Sequence, residues 1–146
     1  MNNAEILLVE DNPDDEMLTL DALAANNISN KVVVARNGVE ALDYMFGTGK
    51  FEGRDPEILP SIVLLDLKLP KIDGLEVLKR IREDERTRLQ PVAILTSSNE
   101  DEDRLTGYAL GANSFVRKPV EFEEFMKAVG QLGLYWLVIN QPVPRK

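Results

Sequence analysis

The chain has 146 residues, about the size of one domain, and 44% of them are apolar, enough for a packed core. A formal charge of −8 and a pI of about 4.6 disfavour direct nucleic-acid binding, which needs a basic face. Cysteine and histidine are both absent, which excludes disulfides, thiolate nucleophiles, zinc–thiolate sites, imidazole bases and phosphohistidine on this chain.

Residues 6–9, ILLV, read as a buried strand. The stretch DNPDDEMLTLDALAANN follows. Asn12 suits an N-cap and Pro13 the first helical position, with acids in the first turn. Met17, Leu20 and Leu23, with Leu18 beside them, supply its expected apolar face. NKVVVA is a second strand. NGVEALDYMF is a second helix, with Asn37 as cap and Glu40 three residues on. GTGKFEGRDPEILP reads as an unusually long loop. Residues 62–65 are strand three, and residues 74–82 are helix three, with Leu75, Leu78 and Ile81 spaced in threes. PVAILTSS is strand four, residues 101–110 a weaker helix, and NSFVRKP holds a short strand five. EFEEFMKAVGQL is helix five, with Phe122, Phe125, Met126 and Val129 on one face. No run reaches the roughly 18 apolar residues of a membrane span. The N-terminus lacks the pattern of a signal peptide, so a cytoplasmic protein without membrane association is expected.

Strands and helices alternate, and the strands are continuous apolar runs. Such strands are buried on both faces, which implies a parallel sheet with helices on each side. Right-handed crossovers leave few topologies. The expectation is an α/β, flavodoxin-like, doubly wound five-stranded sheet of order 2-1-3-4-5, with its switch point between strands one and three.

Two apolar runs end in acid. Glu10 and Asp11 end strand one, and Asp66 ends strand three. The predicted topology makes those strands neighbours. Thr96 ends strand four, and Lys118 follows strand five just before Pro119. Three carboxylates, a hydroxyl and an ammonium therefore share one rim. Two unit charges about 4 Å apart repel by roughly 4 kcal/mol at an effective dielectric near 20, and a hard divalent cation relieves this. Magnesium accepts few carboxylates and welcomes a phosphate oxygen. With His and Cys absent, an aspartate is the expected phosphoryl acceptor.

VEDN, LLDLKLPKIDG, ILTSS and FVRKP together resemble the receiver domain of two-component response regulators, over almost the whole chain. The resemblance implies Asp66 as phosphoacceptor and Mg²⁺ as cofactor, with Asp11 a direct ligand, Glu10 a ligand through water and the Lys68 carbonyl a further one. It implies that Thr96 and Lys118 contact the phosphoryl group and that the Lys118–Pro119 bond is cis. Phe115 takes the place of the aromatic switch residue, where many receivers have tyrosine; a switch using a phenolic hydroxyl is excluded. The implied partner is a sensor histidine kinase. The long loop and the tail are also similar to single-domain regulators that accept phosphate from phytochrome-type histidine kinases. The implied function is a non-enzymatic, phosphorylation-controlled protein-binding module.

Each residue alone has a plainer reading. Glu10, Asp11 and Asp66 could simply end strands, Thr96 could cap a loop, Lys118 could be a surface lysine and Phe115 core. The joint coincidence is harder to accept. Two other classes stay open: a phosphatase-like hydrolase, disfavoured because Lys68 stands where such enzymes carry a second aspartate, and a scaffold that is never phosphorylated, disfavoured by the intact set. The expected division is a receiver over residues 1–132, which leaves no room for an output domain, and an extension over residues 133–146. Gly130 and Gly133 are expected to weaken helix five. LYWLVI then places six apolar or aromatic residues in a row. One reading folds them back on the chain's own core; but they cannot all face one side, so a homodimer is expected, with Tyr135, Trp136, Leu137 and Ile139 at its interface and Trp136 at the centre.

Overall fold

The computed structural model describes residues 5–28, 30–96, 101–117, 122–142 and 144. Five strands alternate with five helices: β1 (Ile6–Val9), α1 (Pro13–Ala25), β2 (Val32–Ala35), α2 (Gly38–Phe46), β3 (Ile62–Leu65), α3 (Gly74–Glu83), β4 (Val92–Thr96), α4 (Asp101–Ala109), β5 (Ser114–Arg117) and α5 (Phe122–Leu134). The sheet order is β2-β1-β3-β4-β5, and every pairing is parallel. This is the flavodoxin-like doubly wound sheet that the sequence predicts.

The strands are apolar throughout because both faces are covered. Successive side chains point to opposite faces. Leu7, Val9, Val63, Leu65 and Ile94 meet Ala41 and Met45 of α2 and Val77, Leu78 and Ile81 of α3. Ile6, Leu8, Ile62, Leu64, Ala93 and Leu95 meet Ala22 and Leu23 of α1 and Val129 of α5. Each fully buried Leu or Ile contributes about 2 kcal/mol of transfer free energy.

α1 starts as predicted. The Asn12 side chain accepts hydrogen bonds from Asp14 N at 2.8 Å and Asp15 N at 3.1 Å, and Pro13 takes the first helical position. Its predicted face holds at Leu23, which is buried, and at Leu18 and Leu20, which pack on the core, but not at Met17. Thr19, Ala22 and Leu23 point inward, while Met17 is 65% exposed. At about 100° per residue, Met17 lies roughly 160° round the helix from Thr19. The Thr19 hydroxyl tolerates burial because it donates to the Asp15 carbonyl at 2.9 Å. α2 is capped by Asn37, which accepts from Glu40 N at 2.8 Å. Glu40 reaches back to Arg36 N, one residue before the cap.

The long connection after α2 is a folded loop carrying a single 3-10 turn, Gly49–Phe51. Arg54 holds it against α2. Its guanidinium lies 3.8 Å from the centre of the Tyr44 ring and donates to the carbonyls of Tyr44 (2.8 Å) and Ile58. The Phe51 ring meets Tyr44 edge-on.

α5 also departs from expectation. The helix runs on through Gly130 and Gly133 to Leu134 and continues as a π-helical turn, Tyr135–Ile139. Gly130 is a packing residue: a Cβ there would lie 2.3 Å from Asn26 Oδ1 at the end of α1. A larger residue there would have to displace the Asn26 side chain, so the glycine suits the packing of α5 on α1 despite its low helix propensity.

Candidate phosphoryl and metal site

The switch point of the sheet is where β1 and β3 diverge, and the acids sit there. Val9 pairs with Leu65, so the next residues on the two strands are neighbours. The Asp66 amide donates to the Val9 carbonyl at 3.0 Å, and the Glu10 amide to the Ala35 carbonyl at 2.9 Å. The ladder thus extends one residue past the apolar runs and fixes both backbones. Glu10 and Asp66 are buried, at 1% and 7% exposure, whereas Asp11 is open to solvent.

One ligand oxygen each from Glu10, Asp11 and Asp66 can be chosen so that all three lie within 4.8 Å of one another. Each such pair of charges repels by roughly 3 kcal/mol at an effective dielectric near 20. An all-oxygen, triply acidic donor set of this kind fits a hard divalent cation such as Mg²⁺. Two backbone amides steady the carboxylates from the side: Asn12 N donates to Glu10 Oε2 and Lys68 N to Asp66 Oδ1, both at 3.3 Å.

The turn after β3 forms the opposite wall. Gly74 opens α3 with its amide donating to the Leu67 carbonyl at 2.9 Å. A Cβ on Gly74 would lie 2.2 Å from the Asp66 carbonyl oxygen, so only glycine lets α3 begin this close to the acid. Asp73 caps the helix by accepting from Glu76 N at 2.9 Å. An open cavity of about 430 Å³ lies beside the acids, lined by Asp11, Lys68, Leu69, Asp73, Leu75 and Asp103, among others.

Thr96 ends β4 fully buried. It pairs in register with Arg117, the last residue of β5. Lys118 and the Lys118–Pro119 bond lie outside the described residues. Phe115 is half-buried against the α2/α3 side of the core, with its ring centre 6.3 Å from that of Tyr108. The sequence reading missed two lining residues, Asp73 and Asp103. The acid-rich start of α4 was the available signal for the second.

The tail divides. Trp136 and Leu137, expected at an interface, are half-buried and pack on the chain's own α1/α5 core. Leu134, Tyr135 and Ile139 are about half exposed. A helical path turns neighbouring residues to different sides, so the run cannot act as one surface.

The chain matches the response regulator receiver domain over residues 6–130. It is 40% identical over 136 residues to the probable methanogenesis regulatory protein FilR2 of Methanothrix harundinacea, covering 93% of this chain and 85% of that one. It is 33% identical over 132 residues to the response regulator Rcp1 of Synechocystis sp., covering 90% and 88%. The crystal structure of Mn²⁺-bound Rcp1 superposes with a TM-score of 0.86 over 97% of this chain and 99% of that one, at 30% identity. The bacteriophytochrome response regulator AtBRR superposes with a TM-score of 0.77 over 97% and 100%, at 52% identity. The acidic trio thus occupies the Mg²⁺ pocket of a receiver fold. The chain belongs to the response regulator receiver domains, which take a phosphoryl group from histidine kinases in two-component signalling.

Proposed function

We propose that Asp66 is the phosphoacceptor and that the chain works as a phosphorylation-controlled protein-binding module in the cytoplasm, without turnover of an external substrate. The carrying observation is the meeting of Glu10, Asp11 and Asp66 at the switch point. An Asp66 carboxylate oxygen forms the new bond to phosphorus while the donor's P–N bond breaks, and the imidazole nitrogen leaves with the electron pair and takes up a proton. Glu10, Asp11 and Asp66, with the Lys68 carbonyl, would hold Mg²⁺, which when bound would supply charge neutralisation for the incoming phosphoryl oxygens. Thr96, already buried at the end of β4, offers its hydroxyl to the phosphoryl group, and Lys118 its ammonium. Phe115 carries the change toward the β5 edge.

The donor is a phytochrome-type histidine kinase; support comes from the similarity to AtBRR and Rcp1. The protein pairs with a second copy through residues 133–146. The half-exposed Leu134, Tyr135 and Ile139 support that reading, with Trp136 bracing the segment from inside.

Phos-tag electrophoresis after acetyl phosphate and Mg²⁺ tests the acceptor. Wild type shifts and Asp66→Asn does not; a full shift in Asp66→Asn refutes the assignment. Sedimentation equilibrium tests the pairing. Tyr135→Glu with Ile139→Lys should give a folded monomer, and a wild-type monomer at tens of micromolar would refute it.

A further inference from the structure

A second open cavity, of about 600 Å³, lies at β5, the last strand of the sheet. Ser114, Phe115 and Val116 all line it. Successive side chains on a strand point to opposite faces, so three in a row share a cavity only where it runs along the strand's open edge. Tyr108 of α4 closes one side, and Tyr135 and Trp136, from the π-helical turn after α5, close the other. One space therefore joins Phe115 to the aromatic pair of the C-terminal segment.

Phe115 has a path out of that wall. Its ring is half-buried, with its centre 6.3 Å from that of Tyr108. Gly107 of α4, itself buried, stands against it: a Cβ there would lie 3.6 Å from two carbons of the Phe115 ring and 2.9 Å from Ile94 Cδ1. α4 thus sets backbone, not a side chain, beside the ring. Ile94 pairs with Phe115, and Thr96 follows two residues on along β4, on the same face. A Thr96 hydroxyl drawn to a phosphoryl group on Asp66 opens space beside Ile94, and an inward turn of the ring takes apolar surface out of water. Phenylalanine has no hydroxyl to hold it in either position. The opposite wall can yield too. The turn Tyr135–Ile139 closes with a bond from Asn140 N to the Tyr135 carbonyl at 2.6 Å, one residue wider than an α-helical turn. Trp136 is half-buried there and meets Tyr135 edge-on, ring centres 5.1 Å apart.

We propose, resting on the reading that Asp66 is the acceptor and Phe115 moves with it, that this cavity is a relay to the C-terminal segment. Phosphorylation withdraws Phe115 from the wall, and Trp136 settles into the vacated space. The π-helical turn is thus the element that receives the signal.

Trp136 is the one tryptophan, so its emission reports this turn alone. The experiment follows emission and acrylamide quenching of the full chain before and after acetyl phosphate with Mg²⁺, with Phos-tag electrophoresis on the same samples. Phosphorylation should shift the emission to shorter wavelength and weaken quenching, at low and high protein concentration alike; Mg²⁺ alone should do neither. Phe115→Ala, compared at equal labelling, should lose the change, and Phe115→Leu, which keeps an apolar core without the ring, asks the same if alanine does not fold. A labelled wild type with unaltered emission and quenching overturns the proposal, as does a wild-type change in either labelled variant. A change confined to high protein concentration reports pairing and overturns it as well. Failure of the acceptor reading looks different, because label then persists in Asp66→Asn on the gel whatever Trp136 does.

Discussion

Gly74→Ala should shift the backbone at Asp66 without replacing any acid. The added Cβ would lie 2.2 Å from the Asp66 carbonyl oxygen, 2.6 Å from Leu67 Cα and 3.0 Å from the Asp66 carbonyl carbon. All three are backbone atoms, so no rotamer change relieves the clash. The start of α3 has to retreat by about 1 Å to restore ordinary contact distances. Overpacking of this kind costs about 1–3 kcal/mol. The bond from Gly74 N to the Leu67 carbonyl, now 2.9 Å, is weakened by the same movement, at about 1 kcal/mol. Alanine's better helix propensity returns at most about 1 kcal/mol. The expected net loss is about 1–4 kcal/mol, a sizeable share of a typical stability of about 5–15 kcal/mol. Urea unfolding followed through Trp136, the one tryptophan, measures it. Gly53→Ala is the control: its φ of +93° makes alanine strained, but no atom lies within 4 Å of the new Cβ. Gly74→Ala should also weaken Mg²⁺ binding while Gly53→Ala does not, because only the first moves the Asp66 backbone. A Gly74→Ala protein within about 0.5 kcal/mol of wild type, with unaltered Mg²⁺ affinity by calorimetry, would refute the reasoning.

Lys71 is exposed with a φ of +69° in the turn between β3 and α3; Lys71→Gly should raise stability by up to about 1 kcal/mol, read as a higher melting temperature. Tyr44 is buried and its hydroxyl donates to Glu5; burial first, and that bond second, push its pKa from the usual 10 up to about 12. The fold thus holds the Tyr44 proton more tightly than the unfolded chain, so about 3 kcal/mol is fully present below pH 10 and lost as pH rises towards 12; Tyr44→Phe should flatten the unfolding profile across that window. Asp11→Asn should stabilise the metal-free protein by about 1 kcal/mol, since it removes repulsion at an exposed carboxylate. The same variant should lose most of the melting-temperature rise that Mg²⁺ gives wild type, and scanning calorimetry with and without Mg²⁺ reads both changes.

The rim was legible because its residues are marked by where a pattern stops. Four apolar residues ending in acid signal a buried strand meeting solvent, and the parallel topology makes the ends of β1 and β3 neighbours without further information. The misreadings share a different cause. Met17 is more apolar than Thr19, so composition assigns it to the core, yet the helix turns it outward and the Thr19 hydroxyl is satisfied by its own helix. The order of the loop before β3 rests on Arg54 stacking on Tyr44, a pair that no periodicity marks. At the start of α4, Asp101, Glu102 and Asp103 look equivalent in sequence, and only the seating of the helix turns Asp103 into the cavity.

Gly130 carries the point furthest. Read along the chain, it is a weak helical residue and an argument for ending α5. Read against α1, it leaves the space in which the Asn26 side chain lies, and the Asn26 amide in turn donates to the Ala22 carbonyl at 2.8 Å. One glycine thus joins the C-terminal turn of α1 to α5 and lets the helix continue to the segment that seats Trp136 and Leu137 on the core. Propensity measures what a residue costs in an isolated helix, about 1 kcal/mol for glycine. It is silent on what a missing Cβ allows a second helix to do. Here the second helix begins at Pro13, so the packing that admits Gly130 into α5 also anchors the element leading away from Asp11.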